Sequence, residues 1–131
     1  MIVSEKDAQI LQIIVKHCDE IIEISRLFGK SKKEFMENYA YQSSCSMLIQ
    51  TIGEVVKKIS LDFIEKVSEI PWKDIKKMRN LFAHDYDYSL DFEVVWDTIE
   101  QNIPILREVC AHILKENNYE IIRVKSLKFP K

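Results

Sequence analysis

An arginine, an asparagine and a histidine lie close together in the middle of the chain, as Arg79, Asn80 and His84. A guanidinium stays charged at any physiological pH and offers a planar set of donors to phosphate oxygens. An imidazole, with an unperturbed pKa of about 6.5, exchanges a proton near neutrality. Such a pair suits RNA cleavage, because the 2′-hydroxyl of RNA is a nucleophile beside the scissile phosphate and no metal is required.

The spacing limits how these side chains can meet. Asn80 and His84 are four residues apart and share one face of a helix. Arg79 and His84 are five residues apart and diverge by roughly 140° on a straight helix. They converge if the helix unwinds near Ala83, or if a second copy of the chain contributes its own helix. The alternative is an inert polar cluster at the C-terminal end of a helix, where cations interact favourably with the helix dipole.

The composition favours one helical domain. The chain has 131 residues, of which 47% are hydrophobic and 31% charged, and it contains only two glycines and three prolines. Because turns depend on Gly and Pro, most of the chain is expected in long regular elements. The formal net charge of −2 excludes a protein that coats nucleic acid through bulk positive charge. Any contact with RNA therefore requires a local basic patch.

The cysteines and the apolar runs indicate the compartment. Cys18, Cys45 and Cys110 are odd in number and lack a Cys-x-x-Cys spacing, which argues against a disulfide framework or a zinc site. We expect them to be small core residues in a reducing environment. The N-terminal residues lack the pattern of a signal peptide, and no apolar run approaches the roughly 20 residues of a membrane span. The expectation is a cytoplasmic protein without metal or other cofactor.

Hydrophobic residues that recur every three to four positions predict the helices. The first helix runs from about Ser4 to Phe28 and stops at Gly29. The second opens at Ser31, whose spacing to Glu34 matches a capping box, and continues from Phe35 to about Ile59. A connector with helical potential around Asp62 to Val67 follows.

The second half of the chain gives two more helices. The third should run from Pro71 to about His84, since proline is tolerated in a first helical turn. The fourth begins near Leu90 or Asp91, and Pro104 should kink it or split it in two.

These elements predict the fold class and the organisation. We expect an all-α protein, an up-and-down helical bundle of four to five helices, over residues 1–118. Residues 119–131 form a short basic C-terminal tail, extended as a strand or as an arm. A frayed tail is the default expectation, and a basic arm that touches a phosphate backbone is the alternative.

Several segments resemble one known family. Arg79-Asn80-Leu81-Phe82-Ala83-His84 fits an Arg-x4-His motif, and Asp85-Tyr86 extends it to Arg-x4-His-x-Tyr. The surrounding segments are Ile52-Gly53-Glu54, Ile70-Pro71-Trp72, Val95-Trp96-Asp97-Thr98 and Ile103-Pro104. In order and spacing, over about Ile49 to Leu114, this set resembles the HepT-like proteins of the HEPN superfamily.

The resemblance carries expectations about activity and partners. It implies a helical bundle that forms a homodimer, and a metal-independent endoribonuclease with Arg79 and His84 as its catalytic pair. It also implies the toxin of a toxin–antitoxin pair, whose antitoxin is an MntA-like minimal nucleotidyltransferase. Such a partner would transfer AMP to the motif tyrosine, Tyr86, and place negative charge at the RNA phosphate site. This chain departs from many relatives after the tyrosine, where Asp87-Tyr88-Ser89 stands, so Tyr88 is an alternative target.

Other polar residues are candidates for supporting roles. Asn80 can hydrogen-bond either His84 or the RNA. Glu54 is expected either as a buried partner that orients Arg79 or as an exposed helix residue in an ion pair. On the polar side of the motif helix are Lys73, Lys76 and Lys77. These lysines are either a solvated face or a track for RNA phosphates.

A second function is compatible with the same residues. The chain can be a non-catalytic helical binding module that docks a minimal nucleotidyltransferase and presents its nucleotide or substrate. The negative net charge and the aspartates after His84 favour this alternative slightly.

Overall fold

The described part of the protein is helical. The computed structural model describes residues 2–80 and 91–129, with the backbone alone for Lys76, Met78, Arg79 and Asn80. The elements are α1 (Glu5–Phe28), α2 (Lys32–Met36), α3 (Tyr39–Val56), α4 (Leu61–Lys66), α5 (Trp72–Asn80), α6 (Phe92–Asp97), a π-helical turn (Thr98–Asn102) and α7 (Ile103–Glu116). Over these residues there is no strand, and the predicted all-α helical bundle is confirmed. None of the described helices is long and apolar enough to span a membrane.

Helix α1 is the central element and packs against α3 and α7. Tyr41, at the start of α3, donates its hydroxyl to Ser25 near the end of α1 at 2.8 Å. Val3, just before α1, donates its backbone N–H to the side-chain oxygen of Asn117, just after α7, at 3.2 Å. Both neighbours therefore run antiparallel to α1, as expected for an up-and-down bundle.

The predicted ends of α1 are confirmed. The hydroxyl of Ser4 accepts a hydrogen bond from the backbone N–H of Asp7 at 3.1 Å, which satisfies one free donor of the first turn. At the other end, Gly29 adopts a φ of 120° and donates its N–H to the carbonyl of Ser25 at 2.8 Å. Residues with a side chain rarely adopt this φ, so glycine is the residue that ends the helix here.

The prediction of one helix from Phe35 to about Ile59 was wrong. Helix α2 ends at Met36, and Asn38 caps a new helix by accepting from the backbone N–H of Tyr41 at 3.0 Å. The break allows Phe35 to enter the core, where it is fully buried. Its ring lies 4.9 Å from that of Tyr41 and 5.4 Å from that of Trp96. Aromatic burial, together with an asparagine that competes for backbone donors, outweighs the helical pattern.

The connector after α3 contains the short helix α4, as predicted, and a buried carboxylate holds its start. Ser60 caps α4 and donates both its backbone N–H and its hydroxyl to the carboxylate of Asp7, at 3.0 and 2.6 Å. Asp7 is only 4% exposed, so these two bonds replace the water that its oxygens lose. The start of α4 is thereby fixed to the start of α1.

The last long helix begins where predicted, with Asp91 as its N-cap, and Pro104 divides it. The division takes the form of the π-helical turn, in which the N–H of Ile103 donates to the carbonyl of Thr98 five residues earlier. Proline has no N–H for the helical ladder, and the wider turn just before it accommodates the missing bond.

The C-terminal tail is an extended arm, and the expectation of a frayed tail was wrong for residues 119–129. Gln12 of α1 donates to the carbonyl of Glu120 at 2.9 Å, and Arg26 donates to the carbonyl of Leu127 at 2.7 Å. The rings of Phe28 and Phe129 lie 5.8 Å apart. These contacts hold the arm along α1.

The cysteines are buried and unpaired with one another, as predicted for core residues. Burial raises the pKa of the Cys45 and Cys110 thiols to about 12. Burial also raises the pKa of Cys18.

Candidate functional site

Helix α5, which carries the start of the Arg-x4-His motif, is anchored at its first turn. It begins at Trp72, one residue after the predicted Pro71. The indole Nε1 of Trp72 donates to the carbonyl of Val67 at 2.7 Å, and its ring packs edge-on against Phe63 at 6.1 Å. One turn later Ile75 is 1% exposed and enters the core. The beginning of the motif helix is therefore fixed by packing and not by its polar residues.

Two elements flank α5. It packs against α3 and also contacts the π-helical turn. Across the second contact, the amide nitrogen of Asn102 lies 3.4 Å from the carboxylate of Asp74. Gly53, from the Ile52-Gly53-Glu54 segment, is buried in α3.

Only some of the predicted catalytic residues lie in the part of the chain that the structure describes. Arg79 and Asn80 are the last two residues of the described part of α5, where the backbone is helical. His84 and Tyr86 lie outside the described residues, as do Ala83 and Tyr88. The meeting of Arg79 with His84 therefore stays a prediction.

Glu54 is exposed, and of the two alternatives for this residue the buried one does not hold. Its side chain is 53% exposed, and its carboxylate lies 3.1 Å from the Nζ of Lys57, one turn further along α3. This agrees with the alternative of an exposed helix residue in an ion pair. Its support of Arg79 stays a prediction.

Two of the three predicted RNA-contacting lysines are described with their side chains. Lys73 and Lys77 are both exposed, and their spacing of four residues places them on one face of α5. The side chain of Lys76 lies outside the described part of the structure.

A groove of about 240 Å³ lies between α5 and the π-helical turn. It is lined by Asp74, Lys77, Val94, Asp97, Thr98, Gln101 and Asn102. Sequence reasoning did not single out Asp97, Gln101 or Asn102 as site residues. The available signal was Pro104, because a proline within a helical pattern disturbs the turn before it and changes which side chains that turn presents.

Two larger cavities, of about 750 and 560 Å³, lie along the C-terminal arm. Both are lined by Arg107 of α7 and Arg123 of the arm, and none of their described lining residues belongs to α3 or α5. The guanidinium of Arg107 is held by the carboxylate of Asp19 at 2.9 Å. This hydrogen bond raises the pKa of Arg107 and ties α7 to α1. Arg107 therefore has a structural role in the bundle.

Within the described ranges, no group of three or more histidine, cysteine, aspartate or glutamate side chains is arranged to hold a metal ion.

Comparisons with known proteins identify the family of the chain. The sequence model of the family described as Ribonuclease HepT-like matches residues 11–113. The chain belongs to the HepT-like ribonuclease family. The match covers α5 and continues beyond the Arg-x4-His motif into α7.

Individual relatives of this HepT-like chain carry ribonuclease names. A protein named "Putative RNase" from Caldanaerobacter subterraneus subsp. tengcongensis is 32% identical over 106 residues, covering 81% of this chain and 92% of that protein. A "Putative RNase" from Methanocaldococcus jannaschii is 32% identical over 103 residues, covering 79% and 83%. A "Probable ribonuclease HepT" from Thermococcus cleftensis is 32% identical over 75 residues, covering 57% and 67%. No solved structure matches the chain.

Proposed function

We propose that this HepT-like chain is a metal-independent endoribonuclease with Arg79 and His84 as its catalytic residues. The observation that carries the proposal is family membership over residues 11–113, a range that includes the whole Arg-x4-His motif. It is supported by the position of α5, which Trp72 and Ile75 hold firmly while Lys73 and Lys77 stay exposed.

The proposed reaction uses the nucleophile of the substrate. The imidazole of His84 takes the proton of the 2′-hydroxyl, and the 2′-oxygen forms a bond to the adjacent phosphorus. The bond from phosphorus to the 5′-oxygen then breaks, and that oxygen takes up a proton. Arg79 stabilises the negative charge that builds on the phosphoryl oxygens. The products are a 2′,3′-cyclic phosphate and a 5′-hydroxyl end.

A homodimer makes this chemistry easier to assemble. Base and acid can then be two His84 side chains from two copies, one neutral and one protonated, since an imidazole can serve in either form. The exposed side of α3 supports such a partner. Tyr39 and Met47 on this helix are 80% and 68% exposed, so their apolar surface is available to a partner. Self-association through α3 would cover them beside α5.

The regulation we propose is that of a toxin–antitoxin pair. An MntA-like minimal nucleotidyltransferase, as the antitoxin, transfers AMP to Tyr86. Tyr86 is two residues from His84, so the added phosphate and nucleoside occupy the position of the RNA phosphate. Negative charge beside Arg79 then competes directly with the substrate.

Incubation of the purified protein with RNA in the presence of a chelator tests the proposal. Cleavage that leaves cyclic phosphate ends supports the enzyme. Persistent absence of cleavage by protein without AMP contradicts it and favours the non-catalytic binding module.

A further inference from the structure

The groove between α5 and the π-helical turn presents several polar groups that are free to bind a ligand. Within the described part of the chain, Lys77, Asp97 and Gln101 make no hydrogen bond or ion pair, and each is exposed. The hydroxyl of Thr98 is already used, since it donates to the carbonyl of Val94 at 2.9 Å. Asn102 reaches Asp74 only at 3.4 Å, the long end of a hydrogen bond.

The charges of the groove do not suit a phosphate at its centre. Among the described lining residues, Asp74 and Asp97 place two carboxylates there against the one cation of Lys77. Carboxylates accept hydrogen bonds from N–H groups, whereas side-chain amides both donate and accept. The set therefore complements a flat heterocycle whose edge carries neighbouring N–H donors and a carbonyl acceptor.

Among the RNA bases, guanine has this edge. Its N1–H and its 2-amino group are adjacent donors, and its O6 is an acceptor. The bases of single-stranded RNA are read by hydrogen bonds along such edges. Uracil has one N–H between two carbonyl oxygens, so it places an acceptor where guanine places the amino group.

We propose that the groove lined by Lys77, Asp97, Gln101 and Asn102 is a base-reading subsite for a guanine of single-stranded RNA. In this subsite the carboxylate of Asp97 accepts from the guanine N–H groups, and Gln101 and Asn102 contact the rest of the edge. Lys77 at the rim binds the phosphate of the same nucleotide. The inference rests on the proposed ribonuclease function and gives its substrate preference.

The position of the groove links base reading to cleavage. Lys77 is two residues before Arg79 on α5, a rise of about 3 Å along the helix axis. A nucleotide held by Lys77 is therefore bound to the helix on which the catalytic motif begins. The two cavities along the C-terminal arm have no such connection, since their described lining comes from α1, Lys30 just after it, α7 and the arm.

Fluorescence anisotropy with short labelled RNA tests the subsite. One probe is an oligouridine and the other has a single guanosine at its centre. The protein carries His84→Ala, which we expect to prevent cutting, and His84 is not among the described residues that line the groove. We expect the guanosine probe to bind about tenfold more tightly than the oligouridine, because one bidentate contact to a base provides discrimination of this size. Replacing its guanosine with inosine, which lacks the 2-amino group, should remove most of this preference.

Variants of the groove identify the residues responsible. Asp97→Asn and Gln101→Ala should each lower the ratio of the affinity for the guanosine probe to the affinity for oligouridine, at least about threefold. Both side chains are exposed, and circular dichroism verifies that the variants fold. Gln9→Ala, an exposed glutamine on α1, is the matched control and should leave the ratio unchanged.

The outcomes separate the subsite from the nuclease. Equal affinity for both probes, or a preference that survives both groove variants, overturns the subsite even if the wild-type chain cleaves RNA. A guanosine preference that depends on Asp97 and Gln101 supports the subsite even if the wild-type chain fails to cleave RNA in chelator. Absence of cleavage would then count only against the proposed nuclease activity.

Discussion

The indole nitrogen of Trp72 donates to the carbonyl of Val67 at 2.7 Å, and this bond joins the first turn of α5 to the end of α4. Helix α4 is in turn capped by Ser60, whose backbone and hydroxyl bind the buried carboxylate of Asp7 on α1. A continuous set of contacts therefore ties the motif helix to the central helix of the bundle.

Replacing Trp72 with Phe tests this anchor. The substitution keeps an aromatic ring against Phe63 but removes the donor, so the carbonyl of Val67 loses its partner in a half-buried environment. We expect the free energy of unfolding to fall by about 1 to 3 kcal/mol in urea titrations. We also expect slower RNA cleavage, although no catalytic group is changed. Gln9→Ala, at an exposed position of α1, is the control, and a Trp72→Phe variant as stable as wild type would contradict the anchor.

Much of the fold could be predicted from residues that act locally. Ser4, Gly29 and Asp91 mark helix ends, because a capping oxygen or a positive φ acts within one turn. The break at Asn38 and the docking of the arm on α1 were missed. Both depend on partners distant in the sequence, such as Trp96 for Phe35 and Phe28 for Phe129.

For the candidate site, the sequence could predict the motif residues but not the groove beside them. The spacing of Arg79 and His84 identified the motif, and Lys73 and Lys77 are exposed as a phosphate track requires. The groove beside them was not predicted, because it exists only where the π-helical turn places Asp97 and Gln101 against α5. A turn of this kind alters the register of side chains in a way that a regular helical pattern does not express.

Lys73 and Lys77 should contribute to RNA binding through charge alone. Alanine at either position should weaken binding to all RNA sequences by a similar factor. A plot of log affinity against log salt has a negative slope. Each lost phosphate contact should make that slope shallower by about 0.7. Filter-binding titrations at several salt concentrations measure the slope. Lys6→Ala, an exposed lysine on α1, should leave it unchanged, whereas an unaltered slope in both α5 variants would exclude the track.

Tyr86 should be the residue that receives AMP. Co-expression with the cognate minimal nucleotidyltransferase should add the mass of AMP to the peptide that contains it, and the modified protein should no longer cleave RNA. Tyr86→Phe should remove the modification and keep the proposed RNA cleavage, while the neighbouring control Tyr88→Phe should still be modified. Modification confined to Tyr88, or none on either tyrosine, would refute the proposed regulation.

The cysteines should be unreactive in the folded protein. Burial raises the pKa of Cys45 and Cys110 to about 12, compared with about 8.5 in an unfolded chain. The reactive thiolate of the folded protein therefore forms only at strongly alkaline pH, whereas it is already present at about pH 8 in urea. Iodoacetamide labelling followed by mass spectrometry measures both states. Rapid labelling of the native protein at about pH 8 would disprove the predicted protection.

The central claim is that Arg79 and His84 cleave RNA without a metal ion. The most direct measurement is RNA cleavage in the presence of a chelator by three folded proteins, namely wild type, Arg79→Ala and His84→Ala. We expect the wild-type chain to produce 2′,3′-cyclic phosphate ends, and each variant to lose at least about a hundredfold in rate, as removal of a general acid–base group or of a group that stabilises transition-state charge does. Undiminished cleavage by His84→Ala, with circular dichroism identical to that of wild type, would contradict the claim.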